Sequence, residues 1–102
     1  MSAGLTYELV EGVATLTLDD GKANAMSRSM LRAVNDALDR AQREDAIVVV
    51  RARGEVFCGG FDLATIKKRN LSTIAMVREG FRLSARLLAY PRPTLVVCQG
   101  HA

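Results

Sequence analysis

The heptapeptide Phe57-Cys58-Gly59-Gly60-Phe61-Asp62-Leu63 is where this sequence could do chemistry, and that chemistry would come from the backbone. Adjacent glycines let the main chain take positive φ and let a ligand approach closely. The first turn of a following helix adds unpaired N–H groups at the positive end of its dipole. Such a bend can hold an oxyanion without any charged side chain. The N–H of Phe61 is the donor it would aim at a substrate oxygen as charge develops there, and losing one such donor typically costs about 3 kcal/mol of transition-state stabilisation. On the glycines alone, a tight structural turn is the simpler reading.

Side-chain chemistry is poorly supplied. The chain has one histidine, no Gly-x-Ser-x-Gly elbow, no phosphate-loop lysine motif and no Gly-x-Gly-x-x-Gly after a strand. Asp62 has the type of a general base, but its place directly before a helix start makes N-capping the better account. Nothing near Cys58 supplies a base to form its thiolate, so packing is favoured over nucleophilic catalysis. The two cysteines, Cys58 and Cys98, show no CxxC or histidine-rich spacing; neither a metal site nor a disulfide framework is indicated, and both are expected reduced and buried. His101 follows Gly100 at a strand end and could face a ligand, although a histidine with no carboxylate partner nearby in sequence is more often structural.

The elements that must position the heptapeptide are legible on either side of it. Tyr7 to Val10, Glu11-Gly12 and Val13 to Leu18 read as an opening β-hairpin, with Ala14, Leu16 and Leu18 on one face. Asp19-Asp20-Gly21-Lys22 breaks it, and the loop runs on to about Ala25. Ser27 is a plausible N-cap for a helix from about Arg28 to Arg43 whose stripe is Leu31, Val34, Leu38 and Ala41. Its other side offers Arg32/Asp36, Asp36/Arg40 and Asp39/Arg43 at i,i+4 spacing. Ala46 to Ala52 has the near-continuous apolar pattern of a strand covered on both faces in a parallel sheet.

Beyond the glycines, Asp62 heads a short helix to about Lys68, and Asn70-Leu71-Ser72 interrupts it. A longer helix from about Thr73 to Ala89 carries Ile74, Val77, Phe81, Ala85 and Leu88 as its apolar stripe, with Gly80 a weak point where another backbone could approach. Pro91 and Pro93 stop it, and Thr94 to Cys98 reads as another buried parallel strand. Strands joined by helical crossovers make an α/β layer with right-handed connections.

Composition fits one domain at most. At 102 residues, with 49% hydrophobic and 25% charged residues, the chain has the apolar content of an ordered globular protein. A net charge of +3, not massed in one block, suits a phosphate-bearing small molecule at least as well as nucleic acid. Its aromatics are too few and scattered to form an evident base-stacking platform. No apolar run reaches membrane-spanning length and no leader pattern stands near Met1, so the cytoplasm is expected, with an organelle matrix as the alternative.

The heptapeptide resembles the Ser/Cys-Ala/Gly-Gly-x-Asp-Leu segment of the crotonase (enoyl-CoA hydratase/isomerase) superfamily. Three further stretches support the resemblance in the same order: Gly21-Lys22-Ala23-Asn24-Ala25-Met26, the Tyr90-Pro91-Arg92-Pro93-Thr94 step into a strand, and Gln99-Gly100-His101-Ala102. The resemblance implies a crotonase-like α/β spiral of strand-strand-helix units, of which residues 1–102 would be the amino-terminal fragment. It implies that the Phe61 N–H, presented by Gly60, is one half of an oxyanion hole for the thioester carbonyl of an acyl-CoA. Phe61 is bulkier than the alanine common there and would narrow or reshape the acyl pocket.

The resemblance also places Gly59 and Leu63 beside the substrate, with Gly59 touching the adenine through its main chain. Lys22, Ala23 and Ala25 would lie along the CoA moiety, with Lys22 near phosphate. A solvated Lys22, with Asn24 capping the next helix, is the local alternative. Lys67-Lys68-Arg69 reads as a solvated helix end, or as a partner of the CoA ribose phosphate. No separate cofactor is implied, since coenzyme A is part of the substrate. Trimers or pairs of trimers are the family's common assemblies.

The second donor and the acid-base carboxylates would lie beyond Ala102, so these 102 residues alone are expected to be inactive. Hydration, isomerisation, thioester hydrolysis and decarboxylation share the oxyanion hole and differ in those later groups. A non-catalytic acyl-CoA binder on the same fold is the alternative function, and a fragment serving only in assembly is a third.

Overall fold

The computed structural model describes residues 4–21 and 24–100. Two strands, β1 (Leu5–Val10) and β2 (Val13–Leu18), form the antiparallel hairpin. Glu11 and Gly12 both take positive φ, 49° and 79°, as a two-residue turn matched to the twist of its strands requires. Helix α1 (Arg28–Arg43) then crosses to β3 (Ile47–Ala52), which lies parallel beside β2 with Leu16 opposite Val50. After the glycine segment come α2 (Leu63–Lys68), α3 (Leu71–Ala89) and β4 (Thr94–Val96), the last parallel to β3. The sheet order is β1-β2-β3-β4. The expected α/β arrangement of strand, strand and helix is therefore present.

One face of the sheet carries the core. Ala14, Leu16 and Leu18 of β2 and Val48, Val50 and Ala52 of β3 are buried against the α1 face formed by Leu31, Val34, Leu38 and Ala41. At about 25 cal/mol per Å² of apolar surface withdrawn from water, each of the leucines and valines contributes roughly 1.5–3 kcal/mol and each alanine less. Ser27 caps α1 by accepting the Met30 N–H at 3.2 Å. Tyr90, just past α3, is buried and donates its hydroxyl to the Ala46 carbonyl at 2.7 Å, tying the end of α3 to the start of β3. Burial also pushes the Tyr90 phenol pKa up.

Several expectations are corrected. Strand β3 is buried on one face only; Ile47 and Val49 on the other are half-exposed. All of β4 is exposed, because it is the edge strand and no described residue covers it. Cys98, just beyond β4, is likewise exposed, whereas Cys58 is half-buried; both are free thiols. Helix α3 starts at Leu71, two residues early, because Asn70 and Thr73 form a reciprocal cap.

The inward face of α3 is Met76, Gly80, Leu83 and Leu87, while Ile74, Phe81 and Leu88 are 56%, 71% and 90% exposed. Both sets have helical spacing, and packing against α1 selected the one the sequence left unremarked. Ion pairs reinforce that choice. Arg28 of α1 meets Glu79 at 3.0 Å, and Asp39 accepts from Arg86 at 2.7 Å, while Arg86 also donates to Asn35. Asp39 thus pairs across helices instead of with Arg43, and Arg40 pairs with Glu44.

Candidate functional site

The glycine segment makes its bend at a single residue. Gly60 has φ +85°, and a Cβ there would meet nothing within 4 Å, so glycine is needed for its conformation and not for space. Gly59 does not share that positive φ, which corrects the expectation that both glycines use it. Gly60 donates its N–H to the Cys58 Sγ at 3.4 Å, giving that sulfur a local structural contact. Asp62 is the N-cap of α2: its Oδ2 accepts from the Thr65 hydroxyl at 2.7 Å and from the Thr65 N–H at 3.1 Å. The Thr65 side-chain bond, followed by the backbone bond, holds the Asp62 carboxyl below its ordinary value of 3.8.

The loop before α1 is stitched to this bend. Met26 forms an isolated parallel bridge with Phe61. In it the Met26 N–H donates to the Gly60 carbonyl at 2.7 Å and the Asp62 N–H donates to the Met26 carbonyl at 3.2 Å. A parallel bridge of this pattern uses the peptide groups flanking Phe61 and turns the N–H of Phe61 itself away from Met26. That N–H has no hydrogen-bond partner among the described residues.

Asn24 supplies the second stitch. It is 1% exposed and takes φ +53°, a conformation asparagine tolerates better than most residues. Its Nδ2 donates to the carbonyls of Val56 (2.9 Å) and Phe57 (3.3 Å). Its Oδ1 accepts the Asp20 N–H at 3.0 Å, and its own N–H donates to the Asp20 carboxylate at 3.1 Å. Asn24 therefore does not cap α1; it fastens the loop to the chain leading into the bend. Its only sequence signal was an asparagine inside a turn.

Phe61 and Gly60 sit on an apolar cleft of about 310 Å³. Its walls are Leu18 and Val50 of the sheet, Leu31 and Val34 of α1, and Gly80, Leu83 and Leu87 of α3. The Phe61 ring lies directly on Gly80: a Cβ at position 80 would fall 2.5 Å from its Cε1 and 2.6 Å from its Cζ. What approaches Gly80 is thus an aromatic side chain, not the backbone expected there.

The other expected contacts are placed as follows. Ala25 is half-buried next to the Met26 bridge but does not line the cleft. Gly59 is exposed beside the bend, and Leu63 opens α2 at 66% exposure, outside the cleft lining. Lys22, Ala23, His101 and Ala102 lie outside the described residues. Among the described residues no three His, Cys, Asp or Glu side chains converge as a metal would need, and no helix is long and apolar enough to cross a membrane.

Comparison with known proteins gives one answer. The family model described as enoyl-CoA hydratase/isomerase matches residues 12–102. A curated protein of Rhodobacter capsulatus named "probable enoyl-CoA hydratase" is 32% identical over 100 residues, covering 96% of this chain and 39% of its own length. Among solved structures, an enoyl-CoA hydratase/isomerase family protein from Pseudomonas syringae superposes with a TM-score of 0.93 at 41% identity, over 97% of this chain and 43% of that one. A "probable enoyl-CoA hydratase" from Mycobacterium tuberculosis gives 0.90 at 39% identity, over 93% and 41%. The chain thus spans about two fifths of the length of these relatives. With the fold, the glycine bend and these similarities in agreement, the chain belongs to the enoyl-CoA hydratase/isomerase family, the crotonase superfamily expected from its motifs.

Proposed function

We propose that this chain supplies half of a backbone oxyanion hole, the Phe61 N–H, to an enzyme of the enoyl-CoA hydratase/isomerase type that acts on an acyl-CoA thioester. The observation carrying this reading is an amide with no partner at the rim of an apolar cleft, held by the Met26 bridge and by the φ of Gly60. A preorganised donor costs no reorganisation when the thioester carbonyl gains enolate charge, and against the apolar walls of the cleft it would interact more strongly than in bulk water once substrate displaces solvent. The substrate hydrocarbon would occupy the cleft, and the CoA moiety would run past Gly59, Ala25 and Leu63 toward Lys22 and Ala23. A trimeric or hexameric assembly belongs to the same proposal.

No carboxylate or histidine lines the cleft among the described residues. Acid-base groups must therefore come from elsewhere in an enzyme, and a non-catalytic acyl-CoA binder is the second reading. Titration of the full-length protein with crotonyl-CoA tests both. Mass action gives roughly 2.7 kcal/mol of stabilisation at a hundredfold excess over Kd, visible as a raised Tm. Protection with turnover supports the enzyme, protection without turnover supports the binder, and no protection at saturating ligand rejects both.

A further inference from the structure

We infer that Phe61 and Gly80 together set the acyl-chain length this site accepts, with the Phe61 ring acting as a stop at the hydrocarbon end of the cleft. This rests on the acyl-CoA reading above and adds to it a specificity-determining pair and a substrate class. The same residue carries the unpartnered N–H and lines the cleft, so a thioester carbonyl held on that amide would set its acyl carbons beside the cleft that the Phe61 residue lines. The ring is held where it is because residue 80 has no side chain; any Cβ there would overlap Cε1 and Cζ. The ring position is therefore coupled to the residue on α3.

The cleft also selects by polarity. Its polar side chains are committed elsewhere: the Ser84 hydroxyl donates to the Gly80 carbonyl at 3.1 Å, and the Cys58 Sγ accepts the Gly60 N–H. A carboxylate at the far end of the acyl chain would lose its water and find no free side-chain donor along the cleft, so chains with an unsubstituted aliphatic tail are favoured. At about 310 Å³ the cleft lies at the small end of ligand pockets, which run from roughly 300 to 1,000 Å³, and this suits one short or medium aliphatic chain.

The test measures Kd and, where turnover occurs, kcat/KM of the full-length protein for crotonyl-, octenoyl- and hexadecenoyl-CoA, with butyryl- against succinyl-CoA as the polarity pair. The wild type should prefer the shorter chains, and Phe61→Ala should move the long-to-short ratio upward by roughly tenfold or more, the scale on which pockets discriminate by methylene groups. Gly80→Ala, which displaces the ring without altering the Phe61 side chain, should change the same ratio with little effect on free CoA. Should Phe61→Ala fail to fold, Gly80→Ala and Phe61→Leu carry the test. An unchanged chain-length profile in the variants, with acyl-CoA still bound, overturns the stop alone. Equal affinity for butyryl- and succinyl-CoA overturns the aliphatic preference. Failure of the wild type to bind any acyl-CoA overturns the underlying reading as well.

Discussion

The Phe61 ring occupies the space a side chain on residue 80 would need, with its Cε1 only 2.5 Å from where the Cβ would stand. A glycine in the middle of a helix costs about 1 kcal/mol relative to alanine, and here that cost lets an aromatic residue from the bend lie against α3.

Gly80→Ala sets two effects of similar size against each other. Helix propensity gains about 1 kcal/mol. Overpacking typically costs 1–3 kcal/mol, near the low end here because the atoms displaced are the far edge of a side chain able to rotate. The expected change in unfolding free energy is within about 1 kcal/mol of zero, read from the midpoint of urea unfolding. A loss above about 3 kcal/mol would mean that the ring cannot move.

Asn24→Ala removes the side chain that joins the loop to Val56 and Phe57. Orphaned buried partners cost about 1–3 kcal/mol, and alanine pays more than asparagine for positive φ, so a loss of about 2–4 kcal/mol is expected. Asn24→Asp should be comparably damaging, since a carboxylate cannot donate to the two carbonyls. Denaturant unfolding of both variants checks this, and a cost under about 0.5 kcal/mol for either would remove Asn24 from the scaffold.

Gly60→Ala probes the bend through conformation alone, since the space for a methyl group is open. Forcing alanine to φ +85° costs roughly 1–3 kcal/mol or rotates the peptide carrying the Phe61 N–H. A displacement of about 1 Å at a catalytic donor can cost on the order of a hundredfold, so kcat of an active full-length enzyme should fall far more than its stability. Unchanged kcat with intact folding would count against the Phe61 amide.

Asp62 gives the cap of α2 a pH signature. Its folded-state pKa lies below the ordinary 3.8, so its contribution is fully present above that value and is lost as pH falls through the depressed one. Asp62→Asn keeps a good cap at neutral pH but removes this ionisation. The wild type should therefore lose more stability than the variant between about pH 5 and pH 2. Parallel acid-unfolding curves would show that the cap does not report on Asp62.

How much the sequence disclosed depended on whether the deciding contact was local. The hairpin turn at Glu11-Gly12, the Ser27 and Asp62 caps and the stripe of α1 are written in neighbouring residues, and each stands where expected. Helix α3 has two apolar faces, and the larger residues Ile74, Phe81 and Leu88 pointed to the wrong one. Only the partner surface on α1, with Arg28 and Asp39 placed to pair with Glu79 and Arg86, decides between them. The role of Asn24 was hidden for the same reason, since its acceptors lie more than thirty residues away. At the site, Gly60 and Phe61 could be picked out from their motif, but the seat of the Phe61 ring on Gly80 could not.

Beside the Asn24 side-chain bonds, one isolated backbone bridge between Met26 and Phe61 joins the bend to the loop before α1. With no ladder on either side to share the load, its two hydrogen bonds should open together, so the amide protons of Met26 and Asp62 should exchange with deuterium at matched rates. Ligand seated on the bend would then slow both in step, making the loop a remote reporter of occupancy.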